Sequence, residues 1–388
     1  MTGLPSARAS ARGLDRWSRG HPWIFRSDVL GLPAAAGVCR VLDRRGKCHG
    51  VALCSPHSEI QLRLLDRRDT VPDASWWRER IAACATRREG IDATAWRLVH
   101  GEGDALPSLI VDRYDRWLVV QLLSAGLETQ RHLVLDALAD VCRPDGILLR
   151  NDVPVRRREK LDEEVALARG SVPETVEVRE GAIRYLAAPW TGQKTGAFLD
   201  QRPNRILAGQ LARPGGTALD CFTYHGSFAL HLAARAGRVT ALDSSAEALD
   251  RGRQNARLNK FDNLDWVEGD VFEILRAWER EKRRFDTIVV DPPAFAKNRS
   301  SVPQAVKGYR EVNLRAMRLL AAGGRLLTAS CSFHVSRDLF LAMLRDAAAD
   351  SGRQLVLTDT LGQGVDHPEI VTIPETGYLK GAVLTAVD

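Results

Sequence analysis

The spacing of apolar positions changes twice along the 388-residue chain, and each change predicts a different kind of module. Residues 1–75 read as short strands separated by Gly, Pro and charged turns, as in GVCRVLD, CHGVALCS and EIQLRLLD. Strands this short close most naturally into a small β-barrel. The segment SWWRERIAACATRRE then carries Trp77, Ile81 and Cys84 at helical spacing and predicts a connecting helix. Across residues 76–189 that helix leads into strands WRLVHG, LPSLIVDRY and WLVVQLLS, the amphipathic helix LETQRHLVLDALADVC, and the strand GILLRND. This order predicts a compact α+β unit. The charged run VRRREKLDEE reads as a solvated helix face, and TVEVRE with AIRYLAAP around Gly181 reads as a hairpin.

From residue 190 to 388 strands and helices alternate. TALDCF, RVTALD, LDWVEGD, DTIVVDPP and RLLTASCS read as strands. They are separated by helical segments such as GSFALHLAARAG and SAEALDRGRQNARLN, and QLVLTDT and YLKGAVLTAV close the chain. Alternation of this kind predicts an α/β, Rossmann-like doubly wound sheet that binds its ligand at the strand C-termini.

Charge sharpens this picture. Residues 1–75 hold twelve Arg or Lys against seven Asp or Glu, so a net +5 of the chain's +6 sits on the first module. A basic module on a nearly neutral body suits a protein that grips a polyanion at one end. No apolar run approaches the roughly 18 residues needed to cross a bilayer, and the N-terminus lacks a secretory pattern. The expected location is the cytoplasm, with no membrane partner. The seven scattered cysteines form no C-x-x-C pair, and Cys48, His49, Cys54 and His57 match no standard zinc spacing, so no metal is expected.

Candidate chemistry gathers at the strand ends of the last module. LDCFTYHGSF joins a strand to a helix through a turn at Gly226, with Asp220, Phe222 and Tyr224 around it. The next strand ends at Asp243 and Ser244, where a carboxylate can accept ribose hydroxyls. The third ends in EGDVF. There Asp270 can receive an adenine amino group, Val271 follows, and Phe272 can stack on the ring. Singly, each Asp is equally a helix N-cap. In series, acidic tips suit a neutral nucleoside cofactor and would repel a pyrophosphate, which favours S-adenosyl-L-methionine over a nicotinamide.

The fourth strand ends in Asp291, Pro292 and Pro293, and the fifth in Cys331 between two serines. Proline fixes φ and removes a donor, so the Asp291 carboxylate is presented rigidly. Carbon 5 of cytosine is too weak a nucleophile to accept a methyl group unaided. A thiolate adding to carbon 6 turns the ring into an enamine, and Asp291 can stabilise the adduct at N3. A free thiol is only a few per cent ionised at pH 7, so such a site must favour the thiolate. Amino-group methylases carry an aromatic directly after D/N-P-P, whereas here Ala294 intervenes before Phe295. Two other readings stay open: nitrogen methylation with a structural Cys331, and a non-catalytic RNA-binding assembly factor.

With these residues in view the chain resembles the RlmI-type family of large-subunit ribosomal RNA cytosine-C5 methyltransferases. The resemblance runs nearly end to end, through GHPWIFRSDV, GEGDALPSLIVDRY, VVQLLSAG, TGQKTGAFLDQRPNR, LDCFTYHGSF, DPPAF, GYREVNLRAMRLL, SCSF and DHPE…PETGYLKG. It implies an N-terminal PUA β-barrel, a central α+β domain and a class I methyltransferase domain. It also implies S-adenosyl-L-methionine as donor, Cys331 as nucleophile, 23S ribosomal RNA as partner, and Phe198, Gln201 and Arg202 along the cleft; a homodimer stays open. His225 and Ser227 depart from the family's glycine turn, and Ala294 stands where some members carry Lys.

Overall fold

The computed structural model describes residues 3–296 and 298–387, and the chain divides into two compact units. The first comprises residues 1–178, 187–199 and 365–377; the second comprises 179–186, 200–364 and 378–388.

In the first unit, β1 (Ser6–Ala9), β2 (Trp23–Phe25), β3 (Val29–Gly31), β4 (Gly37–Leu42), β5 (Cys48–Cys54) and β6 (Ile60–Asp66) form one sheet ordered β2-β6-β5-β4-β1-β3. A helix, Ala11–Ser18, is interposed, and the sequence pattern did not call it. Its buried face is only Gly13 and Trp17, and it starts because the Ser10 hydroxyl accepts the Gly13 N–H. A second sheet contains β7 (Ala95–His100), β8 (Leu109–Tyr114), β9 (Trp117–Leu122), β10 (Gly146–Arg150) and β11 (Val165–Gly170), in the order β11-β10-β9-β8-β7. The segments expected as modules 1–75 and 76–189 share a core: Val51, Leu53 and Leu65 pack with Trp77, Ile81, Leu98 and Leu118.

The run VRRREKLDEE is less solvated than its charge suggests. Arg156 is buried and donates to the carbonyls of Asp162 and Leu122, while buried Glu159 pairs with Arg63 at 2.9 Å. Charge alone cannot separate an exposed run from one that satisfies buried carbonyls.

The hairpin of β12 (Val176–Glu180) and β13 (Ile183–Ala187) precedes the largest sheet. That sheet holds β14 (Thr217–Cys221), β15 (Arg238–Asp243), β16 (Leu264–Glu268), β17 (Phe285–Val290), β18 (Leu320–Ser330), β19 (Leu355–Leu361) and β20 (Lys380–Ala386), ordered β16-β15-β14-β17-β18-β20-β19. The first five pair in parallel, as the apolar runs predict, and β20 pairs antiparallel with both β18 and β19. Leu219, Leu242, Ile288 and Leu326 fill one layer, and Ala218, Val239, Val289 and Leu327 fill the other, so both faces of the sheet are covered. Among the described residues no helix is long and apolar enough to cross a membrane, and no cluster of His, Cys, Asp or Glu could hold a metal.

Glu180 and the helix Arg202–Leu211 are joined by a buried ion pair, Arg205 Nη2 to Glu180 Oε2 at 2.5 Å, and His231 Nε2 lies 3.0 Å from Oε1. Burial alone would push the Glu180 carboxyl up, but the charge and hydrogen bonds of Arg205 and His231 hold it down at about 2. A carboxylate held below its unfolded value adds stability above that value, and the stability is lost as pH falls from about 4.5 toward 2. Glu180→Gln leaves Arg205 buried without its counter-charge. It is expected to cost about 3–5 kcal/mol in urea unfolding at neutral pH, with the gap to wild type narrowing in acid.

Candidate active site

The C-terminal edge of the parallel sheet gathers the residues singled out in the sequence. Asp220 lies inside β14 and is fully buried. Its Oδ2 accepts the Thr223 hydroxyl at 2.5 Å and the Ala229 N–H at 2.9 Å. Its Oδ1 is buried with no hydrogen-bond partner among the described residues. Burial raises the Asp220 carboxyl to about 7, and the nearby charges of Asp291 and Asp243 add to that rise. Three carboxylates therefore crowd one corner of the sheet, where a cationic ligand would relieve them.

The chain leaves β14 through left-handed residues Phe222 (φ 61°), Tyr224 (φ 52°) and Gly226 (φ 84°). Such conformations at non-glycine residues cost about 1–3 kcal/mol each and persist where surrounding bonds fix them. Here the Thr223 N–H donates to the Leu242 carbonyl, and the Tyr224 N–H donates to Asp243 Oδ2 at 2.8 Å. Gly226 is required twice over, by its positive φ and by the Trp266 indole, which would stand 2.6 Å from an added Cβ. Asp243 also accepts the Ser245 N–H at 3.0 Å, so it both shapes the loop and ends β15. Each of its oxygens carries a second lone pair for a ligand.

Asp270 is exposed and caps the helix Val271–Arg280 through the Glu273 N–H, the N-cap role that the sequence left as its alternative. Val271 is buried in the core, and Ser244 is exposed. Phe222, Phe272 and Phe295 form a half-buried aromatic triangle with ring centroids 6.1 to 6.4 Å apart. His225 is core: its ring stacks on Tyr185 at 5.4 Å, and burial pushes its pKa down to about 3, so it is neutral at pH 7. Cys221 is fully buried and its thiol is raised far from ionisation, in keeping with a packing role.

Asp291 follows β17 directly, and Cys331 follows β18. The two strands are parallel neighbours, with Val290 opposite Thr328. At about 4.8 Å between strands and 3.3 Å per residue, Cys331 stands two residues beyond the position opposite Asp291, roughly 8 Å away between Cα atoms. Both side chains are half-buried, and Pro292 is buried. Gln201 Nε2 donates to Asp291 Oδ1 at 2.8 Å, and Asn204 holds the Gln201 carbonyl oxygen at 2.5 Å. Arg202 is buried at the start of the helix that follows. Phe198 belongs to the other unit, where the Lys194 ammonium lies 4.7 Å from its ring centroid.

Sequence reasoning missed the residue that ties the two chemical turns together. Ser332 Oγ accepts the Ala296 N–H at 3.1 Å and shares a hydrogen bond with the Tyr309 hydroxyl at 2.8 Å. Lys380 is buried on β20 and donates to the carbonyls of Ser332 at 2.6 Å and Val335 at 2.7 Å. The signal was present in YLKGAVLTAV, a lone lysine inside an apolar strand.

Comparison with known proteins agrees with this geometry. Residues 97–377 match the family described as S-adenosylmethionine-dependent methyltransferase, and residues 10–67 match the PUA-like domain. A curated relative from Klebsiella pneumoniae (strain 342), named Ribosomal RNA large subunit methyltransferase I, is 38% identical over 94% of this chain and 94% of its own length. One of the same name from Tolumonas auensis is 38% identical over 95% and 96%. A solved SAM-dependent methyltransferase from Streptococcus mutans shares the fold, with a TM-score of 0.83 at 19% identity over 98% of this chain and all of its own. The orphaned Asp220 oxygen and the acidic strand tips fit the cofactor that the family uses. The chain belongs to the S-adenosylmethionine-dependent methyltransferase family and carries a PUA-like domain near its N-terminus.

Proposed function

We propose that this chain methylates carbon 5 of a cytosine in 23S ribosomal RNA through a covalent adduct with Cys331. The observation that carries this reading is the pairing of β17 with β18, whose ends present a half-buried carboxylate and a half-buried thiol two residues out of step on neighbouring strands. The printed names of the curated relatives support large-subunit ribosomal RNA as substrate. The basic first 75 residues, net +5, supply a PUA-like surface suited to a polyanion.

Bound at the acidic corner, S-adenosylmethionine supplies an electrophilic methyl group on a cationic sulfur. Asp243, with Ser244 beside it, is suited to the ribose hydroxyls and Asp270 to the adenine amine. Phe222, Tyr224, Phe272 and Gly226 shape the nucleoside slot, with Pro292 along its margin, and Arg202 is suited to the methionine carboxylate. On the base side, the Cys331 thiolate bonds to ring carbon 6 as the 5,6-double bond opens toward carbon 5. Asp291, oriented by Gln201, hydrogen-bonds the proton that ring nitrogen 3 takes up from water as the adduct forms. Once carbon 5 carries the methyl group, a base removes the carbon-5 proton, the C–H pair re-forms the 5,6-double bond, the sulfur leaves carbon 6 as thiolate, and nitrogen 3 returns its proton to water. A ring carbon is reached only when the base is unstacked, so the target is an unpaired or extruded nucleotide. The reading places the enzyme in the cytoplasm.

Replacing Cys331 with alanine is expected to abolish methyl transfer to ribosomal RNA while leaving cofactor binding within about twofold. Near-normal turnover would point to nitrogen methylation with a structural cysteine. Asp220, raised to about 7, is largely protonated below that pH, and a cationic ligand favours its carboxylate. Cofactor affinity measured by calorimetry is therefore expected to strengthen as pH rises from about 6 to about 8, and Asp220→Asn to flatten that dependence. RNA binding by the full chain is expected to weaken steeply, by about tenfold or more, between about 50 and 200 mM salt, because releasing condensed counterions gains less free energy in more concentrated salt. A flat response would remove the basic module as the anchor.

A further inference from the structure

Lys380 is the first residue of β20 and lies opposite Ser330 in the antiparallel ladder with β18, one residue from Cys331 in register. Only 5% of it is exposed. A lysine is almost never this buried unless it is paired, yet among the described residues Lys380 makes no ion pair with a carboxylate. Two of its three N–H bonds go to carbonyls, those of Ser332 and Val335, which bracket the turn leaving Cys331. We propose that Lys380 is a positioning residue for Cys331: it clamps the turn that carries the nucleophile and sets a positive charge beside the thiolate. This rests on the reading of Cys331 as nucleophile.

The geometry sets both parts of that role. Ser332 is held from three sides: by Lys380 at its carbonyl, and by Ala296 and Tyr309 at its hydroxyl. The turn therefore has little freedom, and Cys331 is fixed relative to the Asp291 loop that Ala296 belongs to. Among the described residues, the charged and titratable groups at this corner are Cys331 from the turn, Arg337 from the helix Arg337–Ser351, Tyr309 from the helix Val302–Leu319, and Asp291 at the end of the neighbouring strand. Burial lowers the Lys380 amine to about 8, opposed by Cys331 and assisted by Arg337, so it remains mostly protonated at pH 7. A buried ammonium with carbonyl partners alone carries a large uncompensated desolvation cost. A thiolate at Cys331 supplies the missing counter-charge, and by the same interaction the ammonium favours the thiolate over the thiol. No proton needs to move between them: Lys380 enters and leaves the reaction as the ammonium, and the bond to carbon 6 is made by Cys331.

A lysine that only satisfies two carbonyls would leave the thiol's ionisation alone, and this separates a clamp from a charge. The test follows alkylation of Cys331 by iodoacetamide in the full chain, read by peptide mass spectrometry between about pH 6 and 9, for wild type, Lys380→Met and Lys380→Arg. The methionine variant is expected to react about tenfold more slowly at pH 7, with its profile moved up by about one pH unit. The arginine variant is expected to stay close to wild type. A methionine profile superimposed on that of wild type would overturn the inference, whatever happens to thermal stability. Should the methionine variant fail to fold, the wild-type protein still decides. Its Cys331 is expected to reach half-maximal alkylation below about pH 8, under the ordinary thiol value of about 8.5. A midpoint at or above about 8.5 overturns the inference. An unshifted methionine profile alongside an inactive Cys331→Ala enzyme sinks the role of Lys380 alone, whereas an active Cys331→Ala enzyme sinks the nucleophile and this inference with it.

Discussion

Parallel pairing of β14, β17 and β18 is the constraint on which the site depends. In a parallel ladder every strand ends at the same edge, so residues placed just after each strand arrive together without any long-range design. Asp220 at the end of β14, Asp291 after β17 and Cys331 after β18 are neighbours for this reason. Their spacing is set by register, and a one-residue slip would exchange Leu219, Ile288 and Leu326 with the differently sized Ala218, Val289 and Leu327 across the two packed faces. The core of this unit is thus also the ruler of its chemistry.

Gathering acids at one edge has a cost that the local bonding only partly offsets. Among the described residues, Asp220 receives two hydrogen bonds at one oxygen and none at the other, and burial with two carboxylate neighbours raises it to about 7. Asp243, by contrast, accepts two backbone N–H groups and sits at the half-buried rim. A group with an unmet acceptor at the bottom of the corner and satisfied groups at its rim is suited to a ligand whose positive charge lies deep and whose hydroxyls lie outside. That is the charge distribution of a sulfonium nucleoside, and it opposes a pyrophosphate.

Most of the fold was legible because local pattern and buried position agree in the second half of the chain. The runs around Asp220, Asp243, Asp291 and Cys331 are mostly apolar stretches, and each became a strand with that residue within one position of its last residue. What was not legible depended on neighbours distant in sequence. The helix Ala11–Ser18 has too short an apolar face to register as a period. Arg156 and Glu159 look like surface charges until their partners Glu128 and Arg63 are known. Gly226 shows in the sequence only as a turn between strand and helix, and the constraint on it is the Trp266 indole, 40 residues on. Ser332 reads as a spacer beside the cysteine, and only the fold brings Ala296, Tyr309 and Lys380 to it.

The reversal of direction at the end of the sheet has its own logic. Because β20 runs antiparallel to β18, its beginning rather than its end lies at the ligand edge. A segment entering β20 can therefore brace the site that the parallel strands assemble, and residues 378–380 do so on two sides. The Tyr378 hydroxyl donates to Asp200 Oδ2 at 2.6 Å, next to the Gln201 that orients Asp291. Two residues later, Lys380 reaches the carbonyls on either side of the turn after Cys331. A single short stretch thus holds the supports of the carboxylate and of the thiol together. A sixth parallel strand would bring its C-terminal tip to this edge and could add another reactive group. An antiparallel one brings the start of a strand instead, and here that start serves as a brace.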